Sequence, residues 1–121
     1  MATKTNNESV ILEYLADKLS REILTLTSKK EYSAIELSEE LNIPISTVYR
    51  KLKLLEGSGL IQHVKTVINP SFNEEKYYRC VIRDATINFK GGELSITLVR
   101  EDHSDKFIRL WKRFAYSGGK E

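Results

Sequence analysis

The hydrophobic period of this chain changes at Gly57-Ser58-Gly59. Before that point apolar residues recur at helical spacings: Ile11, Leu15 and Leu19, then Ile35, Leu37 and Leu41, then Ile45, Val48, Leu52 and Leu55. Such spacing lays a stripe along one side of an α-helix. After it, Ile61 to Ile68 is rich in the β-branched residues that suit strands. Helices first and strands after make this an α+β chain.

The boundaries carry their own chemistry. Helical patterning starts at Glu8 and continues through Ser28 as one bent helix or two, with a break at Asp17-Lys18-Leu19-Ser20 making Ser20 the new N-cap. Ser33-Ala34-Ile35-Glu36 is a capping box, in which hydroxyl and carboxylate each satisfy the other residue's backbone amide. The short helix it opens should end near Asn42, which tolerates left-handed backbone, and Pro44 suits the start of the next. In the strand region Asn69-Pro70-Ser71-Phe72-Asn73 is a turn, and Lys76 to Phe89 reads as one long strand or two in succession. Gly91-Gly92 marks a two-residue hairpin. In that register Phe89 faces Leu94, Ile87 faces Ile96 and Ala85 faces Leu98, so one face is wholly apolar. Phe107, Ile108, Trp111, Phe114 and Ala115 have the helical spacing to cover it.

Composition narrows the function classes. At 121 residues the chain is one domain's worth. It has a single cysteine, Cys80, so no internal disulfide or cysteine-rich zinc site can form. The first residues lack the apolar core of a signal peptide, no apolar run approaches the roughly 20 residues of a membrane helix, and a cytoplasmic location is expected. Phosphate-loop, nucleophile-elbow and metalloprotease motifs are absent, so neither an enzyme nor a cofactor is expected. His63 and His103 lack ligand spacing, and Glu39-Glu40 and Glu101-Asp102 read as solvated surface, so no metal is expected. The net charge of +2 leaves nucleic acid open, because binding needs only a local patch.

Two helices, a short turn, a third helix and a β-hairpin form the order of a winged helix–turn–helix, here extended by an N-terminal helix, an additional β-hairpin and a C-terminal helix. The expected organisation is a flexible 1–7, a single domain over 8–116 and a flexible tail at 117–121. Within it a reading core spans about 15–80, and the hairpin and helix span 83–116. The string Ile43-Pro44-Ile45-Ser46-Thr47-Val48-Tyr49-Arg50-Lys51-Leu52-Lys53-Leu54-Leu55-Glu56-Gly57-Ser58-Gly59-Leu60 resembles the winged helix–turn–helix transcription regulators of the ArsR-like kind, particularly the archaeal ones. Leu19-Ser20-Arg21-Glu22-Ile23-Leu24 looks like their first helix and Lys76-Tyr77-Tyr78-Arg79 like their returning wing strand. The resemblance implies a transcription regulator that binds double-stranded DNA as a homodimer. The metal-sensing members carry cysteines in the helix before the recognition helix; Ala34-Ile35-Glu36-Leu37-Ser38 has none.

The third helix supports this reading independently. With Ile45, Val48, Leu52 and Leu55 inward, Ser46, Arg50 and Lys53 face outward, with Thr47 close by and Tyr49 and Lys51 on the flanks. Arginine can read guanine bidentately, while hydroxyls and lysines hold phosphate. Ser46, Thr47, Tyr49 and Arg50 are therefore the expected readers, and Lys51 and Lys53 the backbone contacts. The wing tip holds Glu74 and Glu75 and no cation, leaving Lys65 and Lys76 on its strands for phosphate. A dimer interface is expected from Ile11, Tyr14 and Leu15 with Phe107, Trp111 and Phe114, closure of the monomer core being the other use of these helices. The hairpin and its helix offer a platform for transcription machinery or a small-molecule effector. The alternative function is a winged-helix protein-interaction module without sequence-specific DNA binding.

Overall fold

The computed structural model describes residues 2–4, 8–101 and 103. A short strand β1 (Ala2–Lys4) precedes helices α1 (Glu8–Ala16) and α2 (Lys18–Lys29). The break between the helices is real, but its cap is Asp17 and not Ser20. The Asp17 carboxylate lies ahead of the free amides and accepts from Ser20 N at 2.9 Å and Ser20 Oγ at 2.8 Å. Ser20 is thus the donor three residues into the turn, and it is fully buried.

Strand β2 (Tyr32–Ser33) leads into α3 (Ala34–Leu41) through the expected capping box: Glu36 N donates to Ser33 Oγ and Ser33 N to Glu36 Oε1. Helix α3 ends on Asn42 in the left-handed region, with φ 56° and ψ 50°. Ser38 clamps the turn that follows. Its hydroxyl donates to Ile43 O at 2.6 Å and its carbonyl accepts from Ile43 N at 3.2 Å. Helix α4 (Ile45–Gly57) starts after Pro44 and buries Val48, Leu52 and Leu55. Ile45, expected on that inner side, is 37% exposed. It occupies the first turn, beyond the reach of the core that receives Val48 four residues from Leu52.

Two three-stranded sheets follow. Strands β3 (Ile61–Ile68) and β4 (Glu74–Cys80) form the wing, in the order β2-β4-β3. Strands β5 (Ile82–Lys90) and β6 (Glu93–Arg100) form the second hairpin, in the order β1-β6-β5. The run from Lys76 to Phe89 is therefore two strands, divided at Val81, whose amide donates to Leu60 O and whose carbonyl accepts from Glu101 N. The hairpin register is the one expected, including Ala85 with Leu98, Ile87 with Ile96 and Lys90 with Glu93. Gly91 and Gly92 take φ values of 60° and 79°, as a primed two-residue turn requires.

Near the N-terminus Ala2–Lys4 pairs with Thr97–Val99 of β6. That edge of β6 has backbone groups needing partners, a demand that no local pattern at the N-terminus announces. One core joins the parts, with Ile11, Ile23, Leu37, Val48, Leu52, Leu55, Leu60, Ile96 and Leu98 all essentially inaccessible. The helix expected over 104–116, with Phe107, Trp111 and Phe114, and the tail at 117–121 lie outside the described residues. Among the described residues no helix is long and apolar enough to cross a membrane. The architecture is a winged helix–turn–helix carrying an added hairpin.

Candidate nucleic-acid interface

Helix α4 is amphipathic in the sense a groove reader needs. Opposite its buried stripe it exposes Ser46, Tyr49, Arg50 and Lys53, while Thr47 is half-buried. Tyr49 is 56% exposed, far more than an aromatic serving the core would be. Among the described residues neither Arg50 nor Lys53 has an ion pair, so both heads stay in solvent. No side chain caps the first turn of α4, whose foremost amides therefore point outward. The first carboxylate on the helix is Glu56, in its last turn.

Lys51 has a different position. Its Nζ lies 3.0 Å from Asp17 Oδ2, the carboxylate that caps α2. The Ser20 amide and the Lys51 ammonium hold the Asp17 carboxyl down at about 2. Lys51 thus ties the outer helix to α2 and fixes its roll over the core. This tie was not legible from the helix alone, where Lys51 looked like a backbone contact.

The wing is less cationic still than its sequence. Lys65 Nζ lies 2.8 Å from Glu31 Oε1 and 4.8 Å above the Tyr77 ring. Its partner's hydrogen bond raises the Lys65 pKa. Lys76 is exposed, with no ion pair among the described residues. It borders an open cleft of about 280 Å³ with Tyr49, Ile35, Glu74 and Tyr78, between α4, the start of α3 and the returning wing strand. At the tip, Asn69 Oδ1 accepts from the amides of Ser71 and Asn73, and Phe72 sits at φ 65° with 87% of its surface exposed. Ile68 beside it is 57% exposed.

Other candidates have structural positions. Arg79 donates to the carbonyls of Thr27 and Ser28 at the end of α2. Cys80 is buried, and burial pushes its thiol pKa up. His103 is buried, with Nε2 2.7 Å from Cys80 O, and exposed His63 meets Thr66 Oγ1. Among the described residues no three His, Cys, Asp or Glu side chains gather as a metal set would. Of the expected interface residues, Ile11 is 1% exposed within the single chain, and Tyr14 and Leu15 are half-buried.

Residues 15–64 match the family of helix–turn–helix domains. The match runs from the end of α1 through α4 into the first wing strand and contains the exposed face of α4. Reduced HlyU from Vibrio cholerae N16961 is similar in structure, with a TM-score of 0.51 and 25% identity over 60% of this chain and 70% of that one. A second structure of HlyU from the same organism aligns over 91% of this chain and 97% of that one, at 18% identity and a TM-score of 0.42. No curated protein sequence matches the chain.

Proposed function

We propose that this protein is a non-catalytic, cytoplasmic transcription regulator of the ArsR-like, archaeal kind that binds specific double-stranded DNA sequences as a homodimer, with α4 in the major groove. The observation that carries the reading is the outer face of α4. Ser46, Tyr49, Arg50 and Lys53 stand exposed, and among the described residues neither Arg50 nor Lys53 has an ion pair, while the third cation of the helix ties it to α2. Arg50 and Tyr49 address base edges, Ser46 and Thr47 the phosphates near the helix start, and Lys53 and Lys76 the flanking backbone. One such module reads a half-site, and a second copy supplies the other.

A second reading has an observation of its own. The wing tip offers Phe72 and Ile68 beside Glu74 and Glu75, an apolar and acidic surface that fits a protein better than a phosphate backbone. Selection of random duplexes by the protein, followed by sequencing, separates the two. Enrichment of a paired half-site motif supports the regulator. Absence of duplex binding even at low salt rejects it and leaves the wing tip as the working surface.

A further inference from the structure

Strand β5 ends its sheet: among the described residues its one strand neighbour is β6. The hairpin geometry says which groups that leaves over. A two-residue turn makes Lys90 and Glu93 a hydrogen-bonded pair, and the pattern then alternates along the strand. Asn88, Thr86 and Asp84 direct their backbone groups at β6. Phe89, Ile87 and Ala85 direct theirs away from it, along an open edge. These outward residues also carry the apolar face, on which Ile87 is 47% and Phe89 75% exposed.

Natural edges are ordinarily blunted by a proline, a bulge or a charge placed mid-strand. From Ala85 to Phe89 this edge has none of these; its irregularity lies between Ile82 and Asp84. Its charges stand at the two ends, Asp84 with Arg83 before it at one and Lys90 at the other; Asp84 and Lys90 are both exposed and, among the described residues, without an ion pair.

That placement is self-complementary. We propose that β5 pairs antiparallel with β5 of a second copy across a two-fold axis at Ile87. Ile87 then faces the partner's Ile87, Ala85 faces the partner's Phe89, and Thr86 faces the partner's Asn88. The outward amides and carbonyls of Ala85, Ile87 and Phe89 all find partners, and apolar residues meet apolar ones on one face. Asp84 meets the partner's Lys90 twice, in the non-hydrogen-bonded positions where opposite Cα atoms come within about 4.5 Å. Moving the axis to Thr86 or Asn88 keeps the faces matched but parts both charge pairs. The charges therefore select the register as well as the partner.

The product is one continuous sheet, β1-β6-β5 joined to its own copy. The inference rests on the dimeric part of the proposed function and gives it an interface on β5, in place of one built on Ile11, which is 1% exposed within the single chain; it does not depend on what α4 binds. Seven residues per strand make a small interface, so the association is expected to be weak and reversible.

Sedimentation velocity of the full chain across micromolar concentrations tests this with charge reversals. The wild type should dimerise. Asp84→Lys alone and Lys90→Asp alone should each weaken association by about tenfold or more, since like charges then oppose each other twice. The double reversal should restore it. Circular dichroism checks that each variant keeps the fold. A monomeric wild type, single reversals that dimerise as well as the wild type, or a double reversal that stays monomeric would each overturn the pairing. A parallel titration of wild-type protein with a selected duplex keeps the readings apart: monomers that still bind DNA sink this interface and the homodimer but leave the DNA reading standing, and dimers that bind none sink the DNA reading alone.

Discussion

Asp17 joins two tasks in one carboxylate, capping α2 and holding Lys51 of α4. Its pKa lies below the ordinary value in the folded state, so the stability it adds is present above the unfolded pKa and lost as the folded pKa is approached. The window runs from 3.8 down to about 2. The carboxylate is 39% exposed, so solvent screening leaves about 1 kcal/mol of pH-dependent stability. Urea unfolding at pH 7 and pH 2.5 should show Asp17→Asn less pH-sensitive than the wild type by about that amount. An unchanged pH dependence would mean the carboxylate is idle. Arg50 gives the matching prediction for function. Arg50→Ala should cost about 1–3 kcal/mol in duplex affinity and relax the preference at one base position, with folding stability nearly unchanged because the side chain touches no core. Fluorescence anisotropy with single-base variants of a selected site checks both parts.

At the scale of elements, what decides stability is local chemistry at the joints. Ser33→Ala removes half of the capping box at the start of α3 and should lower unfolding free energy by about 1 kcal/mol, measurable by denaturant titration. Ser38→Ala loosens the turn between α3 and α4 by removing the hydroxyl from Ile43 O. Elements of this kind were legible because their signal lies within three or four residues: the box at Ser33 and Glu36, the left-handed Asn42, and the register that Gly91-Gly92 imposes on Ala85 to Leu98. What sequence left open is non-local. No pattern in Ala2–Lys4 points to an edge nearly a hundred residues further along. Nor does Lys51 or Lys65 announce its carboxylate, since Asp17 and Glu31 belong to other elements. Ile45 follows the helical stripe, yet the core ends one turn short of it. The candidate site was thus readable as a face of α4, while the division of its cations into anchors and free heads needed the packed structure.

For the whole molecule, the net charge of +2 is an average that hides this division. Of the five cations expected at the interface, Lys51 and Lys65 are neutralised by Asp17 and Glu31, and Arg50, Lys53 and Lys76 remain without an ion pair among the described residues. Each phosphate neutralised on duplex DNA releases counterions and adds about 0.9 to the slope of log affinity against log salt. With Arg50 on a base edge and Lys53 and Lys76 on phosphate, one protomer on a half-site should give a slope of about −1.8 if the anchors hold; if DNA pulls both lysines from their carboxylates, the slope should steepen to about −3.6. Titrations of a half-site duplex from low to moderate salt separate these values. Lys51→Ala then decides the origin. Under the anchored arrangement it leaves the slope unchanged and lowers affinity only through a looser α4, whereas a direct phosphate contact would shift the slope by about one. Because, among the described residues, only three of the expected contact cations lack an ion pair and these lie along one helix and one wing strand, the non-specific component that this face supplies should be weak and should fade early as salt rises. Discrimination would then rest on Arg50 and Tyr49 at base edges, and on a second copy to double the contacts.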